Sequence, residues 1–474
     1  MERMKGIDAS FLYLETPSNH MHVGMLWILK RPAGDAAGGY FAAVRRLLES
    51  RLHLSKTYRR RLVPVPFDID HPLWIEDPDF DLDFHLRHIA VPPPGDRAKL
   101  LEQVARLHSR ALDRSRPLWE MYVIEGLADD QVAVYIKIHH CCIDGMAGTE
   151  LMVSLLDFAP EPREVPPPDK PWVPERAPTD LEILVRASVH SVASPLRSLR
   201  RLPKVIGAGV ALGRRALGRT EPMPAAPFQA PKTPFNRALT PHRRYAVGEV
   251  SLDRVKAVKN AVGATVNDVV LAICAGALRR YLDAHGELPA ESLLAVCPVS
   301  VRQENTKAVA NNAVSAMFVS LATDIAEPLA RLAAIRAATV HAKEALKAIP
   351  AHALQDWSAF AAPLVAAQAA RLYSRYKVAD LHRPPYNVII SNVPGPPFAL
   401  YLAGAELVHS YPISLPIEGI GLNITIMSYR NDVAIGLTAD REAVPDIERL
   451  MAEMPAALAE LEAALAGPKK KKSA

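Results

Sequence analysis

Apolar and polar positions alternate through Val132-Ala133-Val134-Tyr135-Ile136-Lys137-Ile138, the two-residue period of a β-strand. Val132, Val134, Ile136, Ile138 and His140 share one side, and Ala133, Tyr135, Lys137 and His139 share the other. Met146, Leu151, Met152, Leu155 and Leu156 then recur at helical spacing, so a strand gives way to a helix across Gly145, where a glycine lets the backbone turn sharply. A strongly helical pattern covers residues 265–282, and its Thr265 and Asp268 have capping-box spacing, which assigns Asp268 to helix capping before any catalytic role. A further helix is predicted over 328–348, with late strands over 386–391, 421–427 and 433–438. Strands mixed with helices in both halves predict an α/β protein of two sandwiches.

Prolines interrupt these patterns. Pro160, Pro162, Pro166, Pro167, Pro168, Pro171, Pro174 and Pro178 forbid regular helix or sheet and predict an extended linker, and a second run passes through Pro222, Pro224, Pro227, Pro231 and Pro234. The expected organisation is a domain over 1–160, a Pro-rich and basic linker over 161–240, a second domain over 241–466 and a Lys-rich tail over 467–474.

Composition narrows the class. The 474 residues suffice for two substantial cores, and 49% hydrophobic with 23% charged residues fits a soluble globular protein. No apolar run approaches the length of a bilayer span, and the first six residues lead into a polar-interrupted segment unlike a signal-peptide core. Four cysteines, two of them adjacent, form no disulfide framework, and a reducing cytoplasm is expected. The net charge of +5 is local: residues 183–220 hold eight Lys or Arg and no acid, and Lys469 to Lys472 add four more. Without those twelve the remainder stands at about −7. Residues 196–219 mix Leu, Val and Ile with Arg, the composition of a helix lying on an anionic membrane, although a solvated or inter-domain helix has the same pattern. Nucleic-acid binding lacks the interleaved aromatic platform it needs.

The chemistry concentrates in His139-His140-Cys141-Cys142-Ile143-Asp144-Gly145. If the strand alternation continues, His140 points to the covered side, where a desolvated imidazole stays neutral at pH 7 and can accept a proton. His139 then orients the backbone or its neighbour. Consecutive side chains on an extended chain point in opposite directions, so these four His and Cys residues are not expected to converge on a metal. Cys141 and Cys142 are read as lining the turn, not as nucleophiles. Asp144 either caps the following helix or holds the turn through a buried ion pair, and both readings stay open.

HHxxxDG is also the signature of the CoA-dependent acyltransferase superfamily, and this chain resembles its bacterial wax ester synthase/diacylglycerol acyltransferase family over nearly its whole length. The likeness rests on residues 7–15, on Met21-His22-Val23-Gly24 and on residues 80–87. It continues through Pro117-Leu118-Trp119-Glu120, Asn267-Asp268-Val269-Val270-Leu271 and Ser391-Asn392-Val393-Pro394-Gly395-Pro396. The chain departs from the family pattern at Asn311-Asn312, ahead of Ser315 and Met317, and at Ala322, where proline is common; these differences bear on substrate preference.

The resemblance implies two chloramphenicol-acetyltransferase-like domains with a tunnel between them and His140 near its middle. It implies O-acyl transfer from acyl-CoA to diacylglycerol or a long-chain alcohol, with no cofactor beyond acyl-CoA as co-substrate and no metal. His140 would be the base, attack would be direct, and Asn267 or a backbone N–H would serve the oxyanion. Asp144 would fix the motif loop; Arg302 is its candidate partner, with surface phosphate contact or ordinary solvation as equal readings of that arginine. Gly145 and Gly148 are read as backbone fitters, and Pro117 and Trp119 as pocket wall, with plain packing the favoured reading for Trp119. The expected location is cytoplasmic, peripheral on the inner face of the cell membrane or on lipid droplets; oligomeric state is left open. Two alternatives stand beside this: a superfamily transferase with another acceptor or a carrier-bound acyl donor, and a catalytically silent lipid-binding protein.

Overall fold

The computed structural model describes residues 1–32, 38–143, 152–168, 172–185, 229–300, 314–347 and 363–467. Within them, one six-stranded sheet runs through β12 (Tyr401–Leu402), β13 (Ala405–Ile413), β2 (His22–Lys30), β7 (Gln131–His139), β6 (Trp119–Glu125) and β5 (Leu86–Ala90). A second runs through β10 (Val314–Ser320), β9 (Leu294–Ser300), β11 (Val388–Val393), β14 (Leu422–Tyr429), β15 (Asp432–Asp440) and β8 (Arg243–Ser251). A small sheet joins β1 (Glu2–Arg3), β4 (Leu73–Glu76) and β3 (Arg60–Val63).

Helices cover these sheets. In the first half they include α1 (Gly6–Tyr13), α2 (Gly39–Arg51) and α3 (Arg97–His108). In the second half they are α4 (Leu252–Val262), α5 (Val266–Ala284), α6 (Pro328–Lys347), α7 (Pro363–Arg375) and α8 (Ile447–Ala466). The strand expected over 132–138 is β7, the helix over 328–348 is α6, and the late strands are β11, β14 and β15.

The α5 start follows the expected chemistry. Thr265 is the N-cap, its backbone N–H donates to Asp268 Oδ2 at 2.9 Å, and the Asp268 N–H donates back to Thr265 Oγ1 at 3.2 Å. Asp268 is buried and also accepts from Thr339 Oγ1 at 2.8 Å, which ties α5 to α6. The α5 interior from Val269 to Leu278 is buried nearly throughout, as befits a helix enclosed between a sheet and α8.

Two features of the chain path bear on the expected domain organisation. Residues 401–413 leave the second half and add β12 and β13 to the first sheet, where β13 pairs with β2. A boundary at 241 therefore does not separate the sheets. The crossing chain packs tightly: a Cβ at Gly436 on β15 would stand 1.9 Å from the Pro412 carbonyl oxygen, so only glycine fits there. Tyr245 and Ala434 from the second sheet join Leu26, Ile28, Tyr135 and Tyr411 from the first in one core.

The Pro-rich stretches are extended, as expected, and they pack against the lobes. Trp172 Nε1 donates to Glu76 at 2.6 Å beneath the Arg59 guanidinium, and Ile183 is buried against Val63, Val65 and Ile75. Phe235, in the second run, is fully buried in the core of the second lobe. Proline density removes helix and sheet, as expected, but the chain still buries its apolar side chains. Most of the basic stretch, 186–228, lies outside the described residues.

Candidate active site

Strand β7 ends at His139, and His140–Cys142 form one 3-10 turn. The alternation used to place His140 therefore stops one residue too early. The two sides of β7 are also equally covered: Tyr135 and Lys137 are as inaccessible as Val132 and Val134. Lys137 can be buried because its Nζ meets Glu120 Oε2 at 3.0 Å and donates to the Leu107 and Arg110 carbonyls at 3.1 Å. Burial lowers its pKa, with Glu120 pulling the other way.

The turn is anchored from three sides. His139 faces His22 across the β2–β7 ladder, and its N–H donates to the Leu118 carbonyl at 3.0 Å. The His140 N–H donates to the Met21 carbonyl at 2.8 Å, and Ile143 N–H closes the turn onto the His140 carbonyl at 3.2 Å. Helix α1 supplies the third support, with the Phe11 ring stacked on the His140 imidazole at 4.0 Å and 18°.

His139 is fully buried and its tautomer is set by its neighbours. Its Nδ1 accepts the Cys141 N–H at 3.1 Å and so carries no proton when the ring is neutral. Nε2 then carries the hydrogen and faces Glu15 Oε2 at 3.3 Å. Burial pushes the His139 pKa down against the pull of Glu15. Burial alone would raise Glu15, but hydrogen bonds from His139 and His20 and the charge of Arg114 outweigh it and hold the carboxyl well below its usual range. His22 packs between His20, His139 and His108 with ring centroids 5.7, 5.8 and 6.3 Å away, and burial keeps it neutral. Burial, and next the Lys137 charge, push His108 down to about 3.

His140 itself is half-buried. Burial pushes its pKa down to about 4 against an upward pull from its own backbone carbonyl, with His139 adding a smaller downward push. Its Nδ1 is enclosed and has no partner in hydrogen-bond geometry among the described residues. Burial favours the neutral imidazole, in a turn and not on a strand face.

The other expected residues are distributed as follows. Asn267, on the first turn of α5, has its Oδ1 taken by Asn392 Nδ2 at 3.2 Å, so its own Nδ2 is the group it can offer. It stands on the second lobe, and no hydrogen bond joins it to the histidine turn among the described residues. Trp119 is buried, donates to the Tyr58 carbonyl at 3.0 Å and stacks on His85, while Pro117 is buried beside it; packing is the role they show. Asp144, Gly145, Gly148 and Arg302 lie outside the described residues. A cavity of about 10 Å³, room for one water, is lined by His20, His108 and Arg243 among others, and neither His139 nor His140 lines it. No group of three or more metal-ligating side chains occurs among the described residues.

Sequence reasoning missed Glu15, Phe11 and the Lys137–Glu120 pair. The first two were visible only as a polar end and an apolar member of the α1 segment, with nothing local to connect them to residues 139 and 140.

Residues 4–270 match the wax ester synthase/diacylglycerol acyltransferase catalytic domain, and residues 310–462 match the WS/DGAT C-terminal domain. The chain belongs to the wax ester synthase/diacylglycerol acyltransferase family. A Mycobacterium tuberculosis relative named for diacylglycerol O-acyltransferase activity is 37% identical over 97% of this chain and 90% of its own length. The O-acyltransferase WSD of Acinetobacter baylyi is 34% identical over 96% of this chain and 95% of that protein. Among solved structures, the wax ester synthase/diacylglycerol acyltransferase from Marinobacter aquaeolei VT8 superimposes with a TM-score of 0.71 at 31% identity, covering 98% of this chain and all of the other. The starter condensation domain of rhizomide synthetase aligns at a TM-score of 0.57 and 12% identity, over 98% of this chain and 94% of that domain, which shows a shared fold alone. The family and two-lobed α/β fold read from the sequence are borne out.

Proposed function

We propose that this protein moves a fatty acyl group from acyl-CoA to diacylglycerol or a long-chain alcohol, with His140 as general base. Membership of the wax ester synthase/diacylglycerol acyltransferase family carries the reaction class. The observation that carries the base assignment is the His140 ring, stacked on Phe11 at the start of the turn after β7, where burial favours its neutral form.

An alcohol at pH 7 needs to lose its proton as it attacks. In the neutral ring one nitrogen carries the proton and the other offers the lone pair that accepts it. The acceptor oxygen bonds to the thioester carbon as its proton passes to His140. The tetrahedral oxyanion then collapses, the carbon–sulfur bond breaks, and the imidazolium returns the proton to the CoA thiolate. Asn267 Nδ2 is the proposed oxyanion donor, a contribution often worth about 3 kcal/mol. Asp144 is assigned to holding the motif loop. No cofactor beyond acyl-CoA enters this scheme.

A lipid acceptor supports the further reading that the protein works at a lipid surface, on the cytoplasmic face of the membrane or on droplets. Phe67, Leu372, Tyr376 and Leu381 are 81%, 50%, 67% and 78% exposed, and Arg371, Arg375 and Lys377 are interleaved with the last three. Phe67 sits on a turn that packs on α7. Aromatic and aliphatic side chains among cations fit an anionic interface. No single helix among the described residues is long and apolar enough to cross a membrane.

The test offers purified protein palmitoyl-CoA with hexadecanol and with dipalmitoylglycerol, and separates the products by chromatography. Ester formation with CoA release is expected with at least one acceptor. Intact acyl-CoA with both would overturn the reading.

A further inference from the structure

The 3-10 turn that begins at His140 also brings two thiols together. Cys141 Sγ and Cys142 Sγ lie 3.9 Å apart, which an extended chain would not allow. Cys141 is buried among Met4, Ala9, Leu12, Leu62, Leu112 and Leu118, whereas Cys142 is half-buried. The chemistry proposed above uses neither sulfur.

We propose that Cys141 and Cys142 are a reversible oxidation site that closes to a vicinal disulfide when a hydroperoxide reaches the turn, and that closure stops acyl transfer. The second part rests on the assignment of His140 as the base; the first does not. The more accessible Cys142 reacts first. Its thiolate attacks the peroxide O–O bond, forming a sulfenic acid and releasing water or an alcohol after protonation. Cys141 then attacks the Cys142 sulfur, loses its proton, and expels the sulfenic oxygen as water. Two thiols and one hydroperoxide thus give one disulfide, one water and the reduced alcohol or a second water.

Geometry explains both the inactivation and its reversal. The sulfurs must close from 3.9 Å to the about 2.05 Å of a disulfide. Adjacent Cα atoms on a trans peptide are about 3.8 Å apart, shorter than the about 4.4 to 6.8 Å that ordinary disulfides span. The ring therefore has to deform the turn, and strained disulfides are the readily reduced ones. The same turn holds His140 through the Met21 carbonyl, the Ile143 N–H and the Phe11 stack, so its deformation moves the base. A displacement of about 1 Å in a reacting group costs on the order of 100-fold in rate.

The experiment treats full-length protein with hydrogen peroxide, removes the excess with catalase, and reads two signals. One is the mass of the peptide containing both cysteines, expected to fall by two hydrogen atoms. The other is ester formation, expected to fall by about tenfold or more and to return with dithiothreitol. Cys142→Ser, which packs at a half-exposed position, is expected to keep untreated activity and lose the peroxide sensitivity of both signals; Cys141→Ala provides a second check. Peroxide inactivation that persists in Cys142→Ser, or no mass change in the wild type, overturns the oxidation site. A disulfide that forms while activity is unchanged overturns the switch. An untreated protein without activity that still forms the disulfide locates the failure in the proposed reaction instead.

Discussion

Glu15 and His139 face each other at 3.3 Å, although 124 positions separate them, and the opposite ring nitrogen of His139 accepts the Cys141 amide. One buried imidazole thus links a carboxylate at the end of the first helical segment to the turn that presents His140. Glu15 is a positioning residue in this arrangement, acting through His139.

Glu15→Ala should leave a buried His139 N–H without an acceptor, at a cost of about 1–3 kcal/mol, and let the turn shift. Steady-state kinetics should then show a lower kcat with KM nearly unchanged. Glu15→Gln keeps a carbonyl oxygen for that N–H and should recover most of kcat. Equal losses in the two variants, explained entirely by unfolding in a thermal melt, would remove the positioning role.

His140→Ala should lower kcat by roughly 100- to 10,000-fold, the usual worth of a general base, while the circular-dichroism spectrum stays that of the native fold. Near-native turnover in this variant would end the assignment.

The pH profile follows from burial. With the His140 pKa pushed down to about 4, kcat/KM should stay flat on lowering the pH through 6.5 and fall only toward 4. Stability behaves differently. Folded His140 and His108 resist protons that unfolded histidines take up below about 6.5, so stability is full above that pH and declines as pH falls toward 4. Glu15, held low in the fold, adds a further loss below about 4.3. Melting temperatures at pH 7.5, 6 and 5 are the check, and an acid limb of kcat/KM at 6.5 would contradict the burial argument.

Asn267 and Asp268 are neighbours with opposite expected readouts. Asn267→Ala should reduce kcat by about 100-fold with little change in melting temperature if its Nδ2 serves the oxyanion. Asp268→Ala should cost about 1–3 kcal/mol through loss of the cap and the Thr339 bond, with kcat spared at temperatures where the protein is folded. Chemical denaturation beside single-temperature kinetics separates the two.

Deleting residues 196–219, or replacing Phe67 and Tyr376 together by Ser, should each reduce pelleting with anionic liposomes, and the effect of the basic-segment deletion should shrink as salt is raised. Unchanged pelleting in both would remove the lipid-surface reading.

What the sequence determined by itself was local or carried by resemblance. The period of residues 132–138 specified β7, and the Thr265–Asp268 spacing specified the start of α5, because side-chain alternation and capping act within a few residues. The His-His motif and its companion blocks pointed to the family without any knowledge of folding. Only the tertiary structure decided that β12 and β13 cross to the first lobe, that Lys137 is buried on Glu120, and that Phe11 and Glu15 hold the two histidines. Strand exchange, burial of a charge and the pairing of distant side chains depend on which surfaces the whole chain brings together. No periodicity along the chain encodes that.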